Sequence, residues 1–137
     1  MASDGEGARH LITCTVTGAA NEKSAETISK SVISSTLTKA AIFGADANWG
    51  RVLCAIGYSG APVDVGKIDV QFASKAGTIL VCKDGAGVDF SEEEAKKILL
   101  ESEIEILIDL HSGSAVSTAW GCDLTYDYVK INGDYRT

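Results

Sequence analysis

Two short polar clusters, one near each end of the sequence, hold residue types suited to gripping a small charged molecule. Asp4-Gly-Glu-Gly7 sets two carboxylates among glycines, whose backbones tolerate tight or left-handed turns and let a ligand approach closely. A carboxylate there suits an ammonium group through a charge-assisted hydrogen bond; a solvated acidic turn is the plain alternative. At the other end, Gly121 to Thr137 alternates as a strand does and stops on Asn132-Gly-Asp-Tyr-Arg-Thr137. Trp120, Cys122, Leu124, Tyr126 and Tyr128 would line one face of that strand, with Asp123, Thr125 and Asp127 on the other. Chain ends fray unless tied down, so a buried strand would deliver Asn132 and Thr137, with its carboxylate, to a fixed place.

Three further clusters call for weighing. Gly44-Ala-Asp-Ala-Asn-Trp-Gly-Arg51 opens like a calcium loop, with Asp46, Asn48 and Gly50. The bidentate glutamate that closes an EF-hand is missing, because its position is Gly57, so calcium is excluded. Asp46 or Asn48 would instead cap the helix that follows, Trp49 would pack, and Arg51 would pair with a carboxylate. His111-Ser-Gly-Ser114 invites a Ser/His reading. No second histidine or acid is placed near it to complete a relay, and His10 is far away in sequence, so a strand-to-strand turn is expected. Asp84-Gly-Ala-Gly87 resembles half a phosphate loop but lacks the lysine and the strand-to-helix setting; it reads as a turn.

The elements that must position these residues follow from periodicity. Ile12, Cys14 and Val16 alternate with Thr13, Thr15 and Thr17, a half-buried strand ending at Gly18. Ala25, Ile28, Val32 and Ile33 share one helical face, and a short helix follows with Leu37, Ala40 and Ala41 on its apolar side and Gly44 as its stop. Trp49, Val52, Leu53 and Ile56 fall at i, i+3, i+4 and i+7, a third helix from near Asn48 to Gly57. Gly57 to Gly66, with the single proline, reads as a connection and a lobe boundary. Ile68, Val70 and Phe72, then Thr78 to Cys82, make a hairpin turning at Ala76-Gly77. Ser91 and Glu94 form a capping-box signature for a helix carrying Ala95, Ile98 and Leu99. Ile104, Ile106, Ile108 and Leu110 form another strand, and a turn at Ser112-Gly113 leads to the last. The expected class is α+β, a mixed and largely antiparallel sheet packed by helices. Residues 1–60 would form one lobe and residues 61–137 a second, whose final strand and tail return to the site.

Composition narrows the partners. The 137 residues are 45% apolar with one proline, which favours an ordered core over disorder. A net charge of −7 is the wrong sign for nucleic acid or for an anionic membrane surface. No apolar run approaches the roughly 20 residues a bilayer span needs. Cys14, Cys54, Cys82 and Cys122 form no CxxC pair, which argues against a zinc cluster. Their apolar settings suit reduced, cytoplasmic thiols.

Taken together, Asp4-Gly-Glu-Gly-Ala8, Gly44-Ala-Asp-Ala-Asn-Trp-Gly-Arg51, Gly121-Cys-Asp-Leu-Thr125 and Ile131-Asn-Gly-Asp-Tyr-Arg-Thr137 resemble the C-terminal half of the ornithine acetyltransferases, the glutamate N-acetyltransferases of arginine biosynthesis. The resemblance runs the length of the chain and is specific as a combination. It implies an αββα-type fold and a precursor that cleaves itself into α and β chains before a threonine. That threonine is the nucleophile, with its own freed amine as base. It takes acetyl from N-acetylornithine and passes it to glutamate, and some members also accept acetyl-CoA. No other cofactor and no metal is implied. By motif, Glu6, Asn132 and Thr137 match the family's substrate-binding residues. The family's Ala-Thr-Met-Leu segment does not occur here, which places the nucleophile upstream of Met1. The expectation is then a β-chain fragment, inactive by itself, partnered by the α chain and the rest of the β chain in an α2β2 or larger assembly. Arg9-His10 stands where Thr-Lys is usual, and Ala47 where proline is common. A non-catalytic amino-acid-binding module is the alternative.

Overall fold

The computed structural model describes residues 11–122, an α+β fold built on one six-stranded sheet. The elements in order are β1 (Leu11–Ala19), α1 (Glu22–Ser34), α2 (Thr36–Phe43), α3 (Trp49–Gly57), a 3-10 turn (Val65–Lys67), β2 (Asp69–Ser74), β3 (Gly77–Lys83), β4 (Ala86–Gly87), α4 (Glu92–Leu99), β5 (Glu103–Asp109) and β6 (Ala115–Cys122). Across the sheet the order is β4-β3-β2-β5-β1-β6. β1 runs parallel to β5, and the other pairings are antiparallel, so the mixed sheet expected from the sequence is the one observed. β1, from the first sixty residues, lies between β5 and β6, so a division near residue 60 does not separate two sheets. No helix among the described residues is long and apolar enough to cross a membrane.

Side-chain alternation gives the sheet two unlike faces. Ile12, Cys14 and Val16 of β1 pair with Ile104, Ile106 and Ile108 of β5, and Phe72 and Val70 of β2 continue the same layer. All of these are buried. α1 closes this layer with Ala25, Ile28, Val32 and Ile33, and α4 with Ala95, Ile98 and Leu99. α1 lies over β1 and β6, and α4 over β2 and β3. On the opposite face, half-buried Thr13, Thr15 and Thr17 meet Trp120 and Thr118 of β6, and the Thr15 and Thr118 hydroxyls lie 3.2 Å apart. No helix among the described residues covers this second face, where Leu11, Val116 and Trp120 stand exposed.

The helix starts are chemically marked. Asn21, Ser35, Asn48 and Ser91 each accept a backbone N–H from three residues on, the bond that satisfies an otherwise orphaned amide.

Two expectations need correction. In α2 the buried residues are Thr38, Lys39, Ala41 and Ile42, whereas Leu37 is 57% exposed. Apolar residues lie nearly all round this short helix, so its periodicity fixes no rotation. Polar contacts fix it instead: Thr38 Oγ1 donates to the Arg51 carbonyl, and Arg51 Nη1 to the Leu37 carbonyl. In β6 the residue facing the core is Ala119, not Trp120, which is 65% exposed. The reason is size. A Cβ on Gly121 would sit 2.7 Å from Ile33 Cγ2, so only the face carrying Ser117, Ala119 and Gly121 lets α1 approach. The larger Val116 and Trp120 therefore take the other side. Leu124, Tyr126 and Tyr128 lie outside the described residues.

Candidate functional site

The sheet sets the first and last described residues side by side. Leu11, the first residue of β1, and Cys122, the last of β6, are register partners, and Glu103 of β5 lies on the other side of Leu11. The segment bearing Glu6 therefore leads into the sheet beside the point where the segment bearing Asn132 and Thr137 leads out. Glu6, Asn132 and Thr137 themselves lie outside the described residues.

The same end of the sheet carries a groove of about 380 Å³ lined by Leu11, Thr13, Lys75, Glu101, Glu103 and Glu105, among others. Lys75 Nζ sits 3.6 Å from Glu101 Oε1. The remaining carboxylates leave the groove negative and favour a cationic neighbour over an anionic one.

The Gly44 to Arg51 motif is structural in its described contacts. Asn48 Oδ1 accepts the Arg51 N–H at 3.1 Å and so starts α3, while Asn48 Nδ2 donates to Asp46 Oδ2 at 3.3 Å. Among the described residues, Arg51 Nη1 donates to a backbone carbonyl, that of Leu37, at 3.0 Å. The Trp49 ring is partly buried against the core and lies so close to Gly87 that any side chain there would strike it. The motif thus ties α2, α3 and the short β4 together. The expected turn is confined to Asp84 at φ 52 and Gly85 at φ 77, since Ala86 and Gly87 pair back as β4.

His111 is where sequence reasoning fell short. An acid does stand beside it: His111 Nε2 lies 2.8 Å from Asp69 Oδ2, a contact between residues 42 apart in sequence. The register of β2 against β5 supplies it, and no local spacing could reveal it. Partial burial acts to raise the Asp69 carboxyl, but the bonds from His111 and the Asp84 amide and the nearby Lys83 charge outweigh it, so Asp69 titrates below the ordinary carboxylate range. The bond to Asp69 raises His111, with the Asp109 charge adding to it. The serine reading still fails, since Ser112 Oγ donates to the Leu110 carbonyl. Among the described residues no group of His, Cys, Asp and Glu could hold a metal ion. Cys14 is buried in the core, which pushes its thiol up to about 12 and leaves it inert as a nucleophile.

Fold and motifs together define an α+β domain of an amino-acid-biosynthesis enzyme family. The chain belongs to the ArgJ family, whose model matches residues 1–137. It is 52% identical over 137 residues to the arginine biosynthesis bifunctional protein ArgJ 1 of Clostridium acetobutylicum, covering 100% of this chain and 34% of that protein. The ArgJ protein of Caldanaerobacter subterraneus is 51% identical over the same span and is also covered to 34%. The crystal structure of the arginine biosynthesis bifunctional protein ArgJ from Bacillus halodurans is 49% identical, with a TM-score of 0.81 over 96% of this chain and 60% of that one. The chain thus spans about a third of the length of its curated relatives. These matches support family membership; they do not support the expected placement in the family's C-terminal half.

Proposed function

We propose that this chain forms part of an enzyme that moves an acetyl group from N-acetylornithine to glutamate, with Glu6, Asn132 and Thr137 holding the substrates. Threonine Oγ on a segment outside these 137 residues attacks the acetyl carbonyl, its own N-terminal amine taking the proton. The C–N bond breaks, ornithine leaves with a proton, and acetyl remains as a threonine ester. The glutamate amine then attacks the ester, giving N-acetylglutamate and the free hydroxyl. Acetyl-CoA is a second possible donor, and no other cofactor enters. The reaction belongs to the cytoplasm.

The observation that carries this reading is the pairing of Leu11 with Cys122. Glu6 is five residues before the first and Asn132 ten after the second, so at about 3.5 Å per extended residue the linking segments are long enough for both to meet one amino-acid substrate. The ligand chemistry agrees. N-acetylornithine offers an ammonium and a carboxylate, and glutamate an ammonium, so one carboxylate with several neutral donors can serve each in turn.

Two further observations support a divided enzyme. The matched region is 34% of the curated Clostridium protein but 60% of the solved Bacillus chain, so that chain is little more than half as long, as cleavage of a precursor into two would make it. The sheet face bearing Leu11, Val116 and Trp120 suits cover by another segment, since exposed apolar patches mark interaction surfaces. The α chain and the rest of the β chain, in an α2β2 or larger assembly, are the partners we infer.

The purified 137-residue chain should transfer no acetyl from N-acetylornithine to glutamate, and the full-length enzyme should. Turnover by the isolated chain would overturn the assignment of the nucleophile to another segment.

A further inference from the structure

The antiparallel register of β2 and β5 sets two carboxylates against each other: Asp69 and Asp109 are direct partners across the strands. Like charges so placed repel. His111 lies between them, its Nε2 2.8 Å from Asp69 Oδ2 and its Nδ1 3.7 Å from Asp109 Oδ1. Among the described residues, the other charged groups facing this cluster come from the end of β3 and its turn. Lys83 Nζ is 3.8 Å from Asp69 Oδ2, and Asp84 donates its backbone N–H to Asp69 Oδ1 at 3.0 Å. β1 contributes only the uncharged Thr17 and Gly18 at this end.

The turn between β5 and β6 is shaped to hold the imidazole there. His111 has φ 50, a left-handed conformation that is uncommon outside glycine. Its own N–H donates to Asp109 Oδ1 at 2.9 Å. On either side, Leu110 N donates to the Thr17 carbonyl at 3.0 Å and Ser112 N to the Gly18 carbonyl at 2.7 Å. Gly113 lies against the Ala19 backbone so tightly that a Cβ would collide with it. The state of this turn is thus coupled to the end of β1, the point from which the chain passes into α1.

We propose that His111 is a proton-operated latch: as imidazolium it sits between the opposed Asp69 and Asp109 carboxylates, offsets their repulsion and locks the β5–β6 turn onto the end of β1, and on losing its proton it releases that turn. The imidazole is 44% exposed, so solvent protons reach it directly. When neutral it can still bond one carboxylate, but it no longer balances two. Lys83, on the Asp69 side alone, cannot replace it. Release therefore loosens the turn without unfolding the sheet, whose core strands lie beneath.

The test uses the full-length enzyme. Histidine ring titration by nitrogen NMR, with the His111 signal assigned by its loss in His111→Gln, should place His111 above the ordinary 6.5. Amide exchange at Leu110 and Ser112, corrected for intrinsic base catalysis, should speed up several-fold as pH rises through that titration. Asp69→Asn should return His111 toward its ordinary value and abolish the step. Asp109→Asn should shrink the step while leaving the Asp69 bond in place, because loss of the proton then leaves no opposed pair. A His111 that titrates at or below 6.5 in the wild type would overturn the latch even if a variant failed to fold. So would an exchange step that persists in Asp69→Asn.

Discussion

Replacing Gly18 by alanine tests the geometry at the end of β1 with two separable costs. Gly18 has φ 67, and an L residue held in the left-handed region loses about 1–2 kcal/mol. The added Cβ would strike Asp109 Oδ1, and would also lie 2.8 Å from the His111 nitrogen and 3.3 Å from the Leu110 nitrogen. The carboxylate can swing aside, but it then gives up the His111 amide at 2.9 Å, a charged hydrogen bond worth roughly 1.5–3 kcal/mol. The two backbone nitrogens cannot retreat so easily, since Leu110 N is bonded to the Thr17 carbonyl and His111 N is held between it and Ser112 N, which is bonded to the Gly18 carbonyl. The sum is about 2.5–5 kcal/mol, toward the severe end for one substitution. Urea unfolding of the full-length enzyme, followed by intrinsic fluorescence, measures it. Gly57→Ala is the control: nothing lies within 4 Å of its added Cβ, and it should be neutral or stabilising by up to about 1 kcal/mol. A Gly18→Ala protein within about 0.5 kcal/mol of wild type, as ordinary surface changes are, would refute the clash at the end of β1.

Three further outcomes follow from the structure. Phe72→Ala empties a side chain only 1% exposed and should cost about 3–5 kcal/mol, read as a lower urea midpoint at unchanged slope. Asn48→Ala removes the acceptor that starts α3 and should cost roughly 1 kcal/mol, whereas Asn48→Ser, which keeps an acceptor, should restore most of it. The pH dependence has a defined window. Asp69 is lowered from 3.8, so its contribution is present above that value and is lost as pH falls through its folded pKa. His111 is raised from 6.5, so its contribution is complete below that value and is lost as pH rises through its folded pKa. The stability gap between wild type and Asp69→Asn should therefore be widest between 3.8 and 6.5 and narrow on both sides; a gap constant across pH would contradict the ion pair.

Local pattern told most where a segment has one apolar face and a chemical marker at its edge. The strand of Ile12, Cys14 and Val16, the helix started by Asn48, and the helix started by Ser91 all stand where periodicity and capping put them. It failed where size or long-range register decides. Trp120 and Ala119 are both apolar, and only the close approach of α1 at Gly121 shows which must face inward. The rotation of α2 depends on one bond to Arg51 and one from it, thirteen or fourteen residues away. The Asp69–His111 contact depends on strand pairing, which composition and spacing do not encode. Of the candidate site, the sequence placed residues at both ends of the chain; the adjacency of β1 and β6 is what the fold adds.

The proposed role of Glu6 in binding substrate is tested most directly by kcat/KM of the full-length Glu6→Gln enzyme for N-acetylornithine. A charge-assisted contact to the substrate is worth roughly 1.5–3 kcal/mol, so kcat/KM should fall at least about tenfold, with the urea midpoint unchanged. Glu6→Gln with wild-type kcat/KM would contradict the assignment.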